Sequence, residues 1–259
     1  MATGKRCAMN GVAGAKVLVT GASRGIGAAI AGAFVEAGAE VHALAETDQI
    51  LGAAEAMGAT PHLADVTDPA AVATALDRAG PLDVLVNNAG LERLTPIAEM
   101  DEEALALFRR ILDINIAGTA IVTACALPQM PDGARIINTA SVWGRVGEPL
   151  FGAYVASKHA VIGLTKTWAR ELGPRGVRVN AVCPGWVETE AALRSADELA
   201  ARDGSSAADI LAGIAAAQCL PGPVMQTRDV AGPYLFLASD LAANVTGQTL
   251  GVDRGEQPW

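Results

Sequence analysis

An α/β fold, a doubly wound sheet of seven parallel strands with helices on both faces, is what the sequence predicts, and three observations predict it. Strand-like and helix-like segments alternate along the 259 residues, the pattern of parallel strands joined by helical crossovers. A short apolar run at 16–20 passes through Gly21, Gly25 and Gly27 into an alanine-rich helix that begins near Ile26. No repeat, low-complexity tract or linker breaks the pattern, so one domain is expected.

The segment MATGKRCAMNGVAG has a basic pair with no apolar stretch behind it. It reads as a flexible leader over 1–13, not a secretory signal, with a single domain over 14–259. After the strand at 16–20, others are expected near 39–45, 60–64, 82–87, 134–139, 177–182 and 248–252. Helices lie between them, the long ones near 101–126 and 153–172. Right-handed crossovers then put the glycine turn at the carboxyl edge of the sheet, near the switch point. The stretch 190–222 is alanine-rich, broken at Gly204-Ser205-Ser206 and stopped by Leu220-Pro221-Gly222-Pro223. Its composition suits a hinged helical lid over a substrate, or a helix pair in a subunit interface.

Composition bounds the function classes. The net charge of −9 argues against nucleic acid, which selects a basic face. Half the residues are hydrophobic, yet no uninterrupted apolar run is long enough to span a bilayer. Cys7, Cys125, Cys183 and Cys219 show no metal spacing and read as reduced thiols of a cytoplasmic protein. No metal site is expected.

A strand, a glycine turn and a helix start form an anion site, because backbone N–H groups and the helix dipole both favour a phosphate. The spacing here is G-x-x-x-G-x-G, and the Lys-Ser/Thr of a P-loop is absent. The same residues also match G-x-S-x-G, which would make Ser23 a hydrolase nucleophile in need of a later acid and then a histidine. The candidate histidines are His42, His62 and His159. The first two fall in strand-like runs, and so early an elbow leaves almost no sheet ahead of it.

In the middle of the chain Tyr154 and Lys158 stand four residues apart, with Ser141 thirteen residues upstream of the tyrosine. One helical turn would stack phenol and ammonium on one face. A cation beside a phenol favours the phenolate and so favours acid–base chemistry at neutral pH.

The order TGASRGIG at 20–27, Asp65-Val66, NNAG at 87–90, Asn115, Ser141, Tyr154, Lys158 and PGWVET at 184–189 resembles the short-chain dehydrogenase/reductase family. The resemblance runs over about 14–253 and implies a Rossmann-type sheet. It implies that Tyr154 is the general acid for ketone reduction and the base for alcohol oxidation. Lys158 would lower the Tyr154 pKa and bind the nicotinamide ribose, Ser141 would hydrogen-bond the substrate oxygen, and Asn115 would hold a water linking Lys158 to solvent. The cofactor would lie along Gly21, Ser23, Arg24, Gly25, Ile26 and Gly27, with Asp65 and Val66 at the adenine. Asn88, Ala89 and Gly90 would flank it, and Pro184, Gly185, Val187 and Thr189 would meet its carboxamide end. The implied activity is that of a short-chain alcohol dehydrogenase or ketoreductase acting on a small secondary alcohol or ketone. Subunits would pair through the long helices as a homodimer or homotetramer. The family C-terminus usually carries a Gly pair where TGQTLGVDRG has Arg254, a departure expected to touch subunit contacts.

Glu46, just past the second strand, should accept bonds from ribose hydroxyls and repel a 2′-phosphate. Arg24 pulls the other way, and the balance favours NAD over NADP. Glu92, Trp143, Glu148, Phe151 and Trp186 are the substrate-contact candidates. A different class, a dinucleotide-binding redox sensor or scaffold without turnover, would not need Tyr154 and Lys158, and both are present.

Overall fold

The structure is a computed structural model that describes residues 10–258. In chain order the elements begin with β1 (Lys16–Thr20), α1 (Gly25–Glu36), β2 (Glu40–Ala45), α2 (Gln49–Met57), β3 (Thr60–Leu63), α3 (Pro69–Ala79) and β4 (Val84–Asn87). Next come α4 (Glu102–Leu112), α5 (Thr119–Ala126), β5 (Arg135–Thr139), α6 (Gly152–Leu172) and β6 (Arg178–Pro184). The chain continues through α7 (Glu190–Asp203), α8 (Ala207–Ala217), α9 (Ala231–Ala238) and β7 (Thr249–Val252).

All strands are parallel, in the order β3-β2-β1-β4-β5-β6-β7, so every strand ends on one edge. The order reverses between β1 and β4, and parallel sheets of this kind open a crevice there. Strand periodicity divides the core: Val17 and Val19 face α1 and α9 with Phe34 and Tyr234, whereas Leu18 faces Val72, Val122 and Leu172. The seven expected strands are the seven observed.

A buried polar row stiffens the centre. Asn87 donates from Nδ2 to Thr123 Oγ1 at 2.9 Å and to Asn138 Oδ1 at 3.0 Å, and Asn138 Nδ2 donates to Thr165 Oγ1 at 2.9 Å. These bonds tie β4 and β5 to α5 and α6.

Two expectations are corrected. The leader was placed over 1–13, but Val12 is fully buried, and the Gly14 N–H binds the Gly38 carbonyl. The fold therefore takes hold before residue 14, and residues 1–9 lie outside the described part. The helix expected over 101–126 is interrupted, because Asp113–Gly118 widens into a π-helical turn. Arg254, where a glycine was expected, adopts a left-handed φ of +55°. Its guanidinium donates to the Pro223 carbonyl at 2.7 Å, and its own carbonyl accepts from the Leu220 N–H. That grip offsets a backbone state costing roughly 1–2 kcal/mol. Residue 254 thus contacts the segment after α8 within its own chain.

The 190–222 segment forms α7 and α8. Gly204 ends α7 in a left-handed turn, and Ser206 opens α8 with a reciprocal capping box to Asp209.

Candidate active site

A cleft of about 560 Å³ lies along the carboxyl edge of the sheet, lined by residues that follow β1 through β6. One end is the glycine turn. Gly21 and Gly25 hold φ of +65° and +59°, values that glycine adopts without steric penalty. A Cβ on Gly27 would overlap the Gly21 carbonyl, so turn and helix close against each other only with glycine here. α1 has no side-chain cap and no acid in its first turn. Its leading N–H groups are left for an anion, as a pyrophosphate requires. Ser23, Arg24 and Ile26 complete this wall. Arg24 reaches sideways to Gln49 at 3.2 Å and to Glu190 at 3.5 Å.

Glu46, Asp65 and Val66 line the far end. Arg110, from α4, donates to Asp65 at 2.8 Å and to Thr67 at 3.1 Å, and stands 3.8 Å from Glu46. Burial alone would raise the Asp65 pKa, but the Thr67 N–H, the Arg110 guanidinium and the Thr67 hydroxyl outweigh it and hold it below the usual range. Val66 rests on Gly118 of the π-helical turn, where any Cβ would collide with it.

Asn88 fastens the next section, donating from Nδ2 to the Thr20 carbonyl at 3.1 Å while its own N–H reaches Thr20 Oγ1 at 3.0 Å. Ala89 and Gly90 follow along the wall. Pro184, Gly185, Val187 and Thr189 form the opposite side. Gly185 also accommodates the chain end, because a Cβ there would press on Asp253 and Glu256.

Ser141, Tyr154 and Lys158 meet in this cleft. Ser141, at the mouth of β5, caps a short turn by accepting the Trp143 N–H at 3.2 Å, and its hydroxyl is near enough to the Tyr154 phenol to favour the phenolate. Burial pushes the phenol well above its ordinary value; the Glu92 charge adds to that, and the Ser141 hydroxyl pulls it back. Lys158 is 4% exposed. Burial lowers its pKa to about 8. Its ammonium donates to the Thr139 carbonyl at 2.7 Å and lies 5.4 Å from the centre of the Tyr154 ring. Burial dominates the Tyr154 phenol, while the Lys158 ammonium beside it is engaged by the Thr139 carbonyl.

Asn115 sits in the π-helical turn. Its Nδ2 donates to the Leu91 carbonyl at 3.0 Å and to Ser157 Oγ at 2.9 Å, and its Oδ1 accepts the Leu91 N–H at 2.7 Å. The side chain is occupied in holding the 90s loop against α6.

Of the substrate-contact candidates, Glu92, Trp143 and Trp186 line the cleft, and Glu148 and Phe151 do not. Phe151 is fully buried, its ring 4.6 Å from that of Trp143, and so supports the wall from behind. Glu148 is half-buried, and burial raises its pKa. No histidine is among the cleft residues described: His42 and His62 bond each other at 2.9 Å between β2 and β3, and His159 is exposed on α6. Ser23 therefore has no base, which removes the hydrolase alternative.

Sequence reasoning missed four contributors. Thr139 takes the Lys158 ammonium and bonds Tyr234 at 2.9 Å. Ser157 holds Asn115, Arg110 joins Glu46 and Asp65, and Ser195 binds Glu92. Ser157 directly adjoins Lys158 and Thr139 stands two residues before Ser141, a signal that could have found them. Arg110 and Ser195 come from helices 45 and 103 residues away from their partners, where no local pattern points.

Fold and cleft together define a dinucleotide-binding oxidoreductase of the doubly wound class. A family model described as enoyl-(acyl carrier protein) reductase matches residues 21–257. A 3-oxoacyl-[acyl-carrier-protein] reductase of Thermotoga maritima is 36% identical over 92% of this chain and 96% of its own. The ligand-free aldohexose dehydrogenase of Thermoplasma acidophilum superposes with a TM-score of 0.85 at 34% identity, covering 96% of each chain. A 3-oxoacyl-[acyl-carrier protein] reductase from Brucella melitensis, solved with bound NAD, gives a TM-score of 0.83 at 32% identity over 96% of this chain and 93% of that one. The chain belongs to the short-chain dehydrogenase/reductase family of NAD(P)-dependent oxidoreductases. Among the described residues, no helix is long and apolar enough to cross a membrane.

Proposed function

We propose that the chain moves a hydride between a nicotinamide dinucleotide and the carbinol carbon of a small secondary alcohol or its ketone. One observation carries the reading: Tyr154, Ser141 and Lys158 share a cleft with the uncapped end of α1. Nicotinamide, when bound, supplies or accepts the hydride. Tyr154, held protonated at neutral pH, gives its proton to the carbonyl oxygen during reduction. Ser141 hydrogen-bonds that oxygen and steadies the charge developing on it. In oxidation Tyr154 must first lose its proton, so that direction gains from alkaline conditions. Lys158 would hold the ribose next to the nicotinamide. Asn115 positions the 90s loop and α6, and does not itself touch the reacting atoms.

Gly21, Ser23, Arg24, Gly25, Ile26 and Gly27 would hold the pyrophosphate, with Asp65 and Val66 at the adenine. Asn88, Ala89 and Gly90 would line one side, and Pro184, Gly185, Val187 and Thr189 the other. Glu46 favours NAD over NADP, since its carboxylate suits ribose hydroxyls and repels a phosphate. The Brucella neighbour with bound NAD supports a nicotinamide cofactor here. The 190–222 segment acts as the substrate lid. An apolar depression bearing Leu112, Ile116, Ala117, Ala120 and Leu164 supports pairing of subunits through α4 to α6, as a homodimer or homotetramer in the cytoplasm.

The test is a panel of secondary alcohols, polyols, aryl carbinols and hydroxy acids with NAD⁺ and with NADP⁺, followed by reduced-cofactor absorbance beside Tyr154→Phe. Turnover lost in that variant supports the reading. Cofactor binding with silence across the panel would favour a sensor.

A further inference from the structure

Glu92 is the acid nearest the chemistry, and the reaction described above does not use it. It lies on the cleft wall with a side chain only 16% exposed. Ser195 of α7 donates to its Oε1 at 2.7 Å. Arg194 donates to its backbone carbonyl at 3.0 Å and stands 4.0 Å from Oε2, while also 3.9 Å from Glu198. A carboxylate accepts up to about four hydrogen bonds. Ser195 satisfies one oxygen, and the other has only a distant guanidinium.

The rest of the wall bears on charge. Arg24 and Lys158 are the only basic residues among the described cleft-lining ones. Arg24 is at the phosphate end with Glu190 beside it, and Lys158 is buried against the Thr139 carbonyl. Neither of these two cations is placed to meet a substrate carboxylate near Tyr154, and the Arg194 guanidinium behind Glu92 is engaged by the Glu92 backbone carbonyl. Opposite, Trp143 and Trp186 form an edge-to-face pair 5.7 Å apart, and Trp143 stands 6.0 Å from the Tyr154 ring. Two indoles with one hydrogen-bond acceptor suit a compact hydroxylated molecule that stacks its C–H face and donates from its hydroxyls.

We propose that Glu92 is a specificity-determining residue, whose carboxylate accepts a hydrogen bond from a second hydroxyl of an uncharged substrate and whose charge keeps hydroxy acids out. The proposal rests on the oxidoreductase reading for its reacting centre. Like charges in a partly desolvated site repel strongly, and a site built around a polar group loses affinity for a ligand that leaves it unpaired. Burial raises the Glu92 pKa, with Glu198 adding to it, while Ser195, Arg194 and Arg93 pull it back. Protonation would silence the repulsion, so the exclusion of acids weakens as pH falls through that raised value. Tyr154 is the remaining titratable group whose state answers to Glu92.

The test measures binding to the full chain by intrinsic tryptophan fluorescence, independently of turnover. The probes are 3-hydroxybutyramide against 3-hydroxybutyrate, and cyclohexane-1,2-diol against cyclohexanol. The native chain should favour the amide over the acid, and the diol over the mono-alcohol, by about ten-fold or more each. Glu92→Gln, which keeps the Ser195 bond, should bring amide and acid within about three-fold. Ser195→Ala, which removes the tether and keeps the charge, should leave that ratio as in the native chain. Equal affinities in the native chain, a ratio that survives Glu92→Gln, or no binding of any probe would overturn the proposal. If the ratios behave as stated but no alcohol turns over with either cofactor, Glu92's role stands and the hydride-transfer reading fails.

Discussion

The Asn115 amide donates a 2.9 Å hydrogen bond to the Ser157 hydroxyl, joining the π-helical turn to the helix that carries Tyr154 and Lys158. Ser157 in turn donates to the Tyr154 carbonyl at 2.7 Å, so the link reaches the reacting turn of α6 directly. Ser157→Ala should leave one Asn115 donor unpaired in a buried place, destabilising by about 1–3 kcal/mol. It should also lower kcat by roughly 10- to 100-fold through displacement of Tyr154 and Lys158. Thermal denaturation alongside steady-state kinetics checks both. An unchanged kcat with a lowered Tm would confine Ser157 to stability.

Tyr154→Phe removes the proton-transfer group and little volume. Turnover should fall by about 10²–10⁴-fold, with NADH affinity within a few-fold of native by fluorescence titration. In the native chain, alcohol oxidation should rise toward alkaline pH and ketone reduction should not, because burial keeps the phenol protonated. A flat profile in both directions would show that another group moves the proton.

At the opposite end of the cleft, Glu46→Thr should raise kcat/KM with NADP⁺ relative to NAD⁺ by about ten-fold or more. The Arg110 guanidinium, 3.8 Å from the lost carboxylate, becomes freer to meet a 2′-phosphate. A cofactor ratio that stays as it was would mean that Glu46 does not face the ribose.

Gly27→Ala places a methyl group on the Gly21 carbonyl. The turn must open, and dinucleotide binding should weaken by at least ten-fold while far-UV circular dichroism stays native. Native affinity in this variant would show that the phosphates bind elsewhere.

His62 gives stability a pH dependence of definite sign. Burial, then the charges of His42 and Arg78, lowers its pKa from 6.5 to about 4. Above pH 6.5 neither state carries its proton and the fold has its full stability. As pH falls from 6.5 to about 4 the unfolded chain takes up a proton that the folded chain refuses, so stability declines across that window. Urea midpoints at steps between pH 7 and 4 should show the decline, and His62→Gln should flatten it. An equal slope in that variant would assign the effect to His42, whose pKa burial also lowers, or to carboxylates.

How much of this was legible in the sequence depends on how far apart the cooperating residues lie. β1, the glycine turn and α1 are contiguous, so their spacing alone reveals an anion site, and Tyr154 and Lys158 share one helical turn. The π-helical turn is different. Asn115 is held by Leu91 and Ser157, 24 and 42 residues away, and nothing in DINIAG itself signals the wider turn. Phe151 is among the expected substrate contacts, but packing behind Trp143 buries it completely. Arg254 stood out as a departure, yet only the fold shows that it takes up the glycine conformation and reaches Pro223.

The row of Asn87, Thr123, Asn138 and Thr165 has an evolutionary consequence. Each member satisfies the next across two strands and two helices, so replacing any one of them strands a buried neighbour. Each single change costs about 1–3 kcal/mol, so leaving this arrangement favours paired changes at distant codons. The surfaces around the cleft can drift toward new substrates one residue at a time, while the spine beneath them works as a ratchet that holds the architecture still.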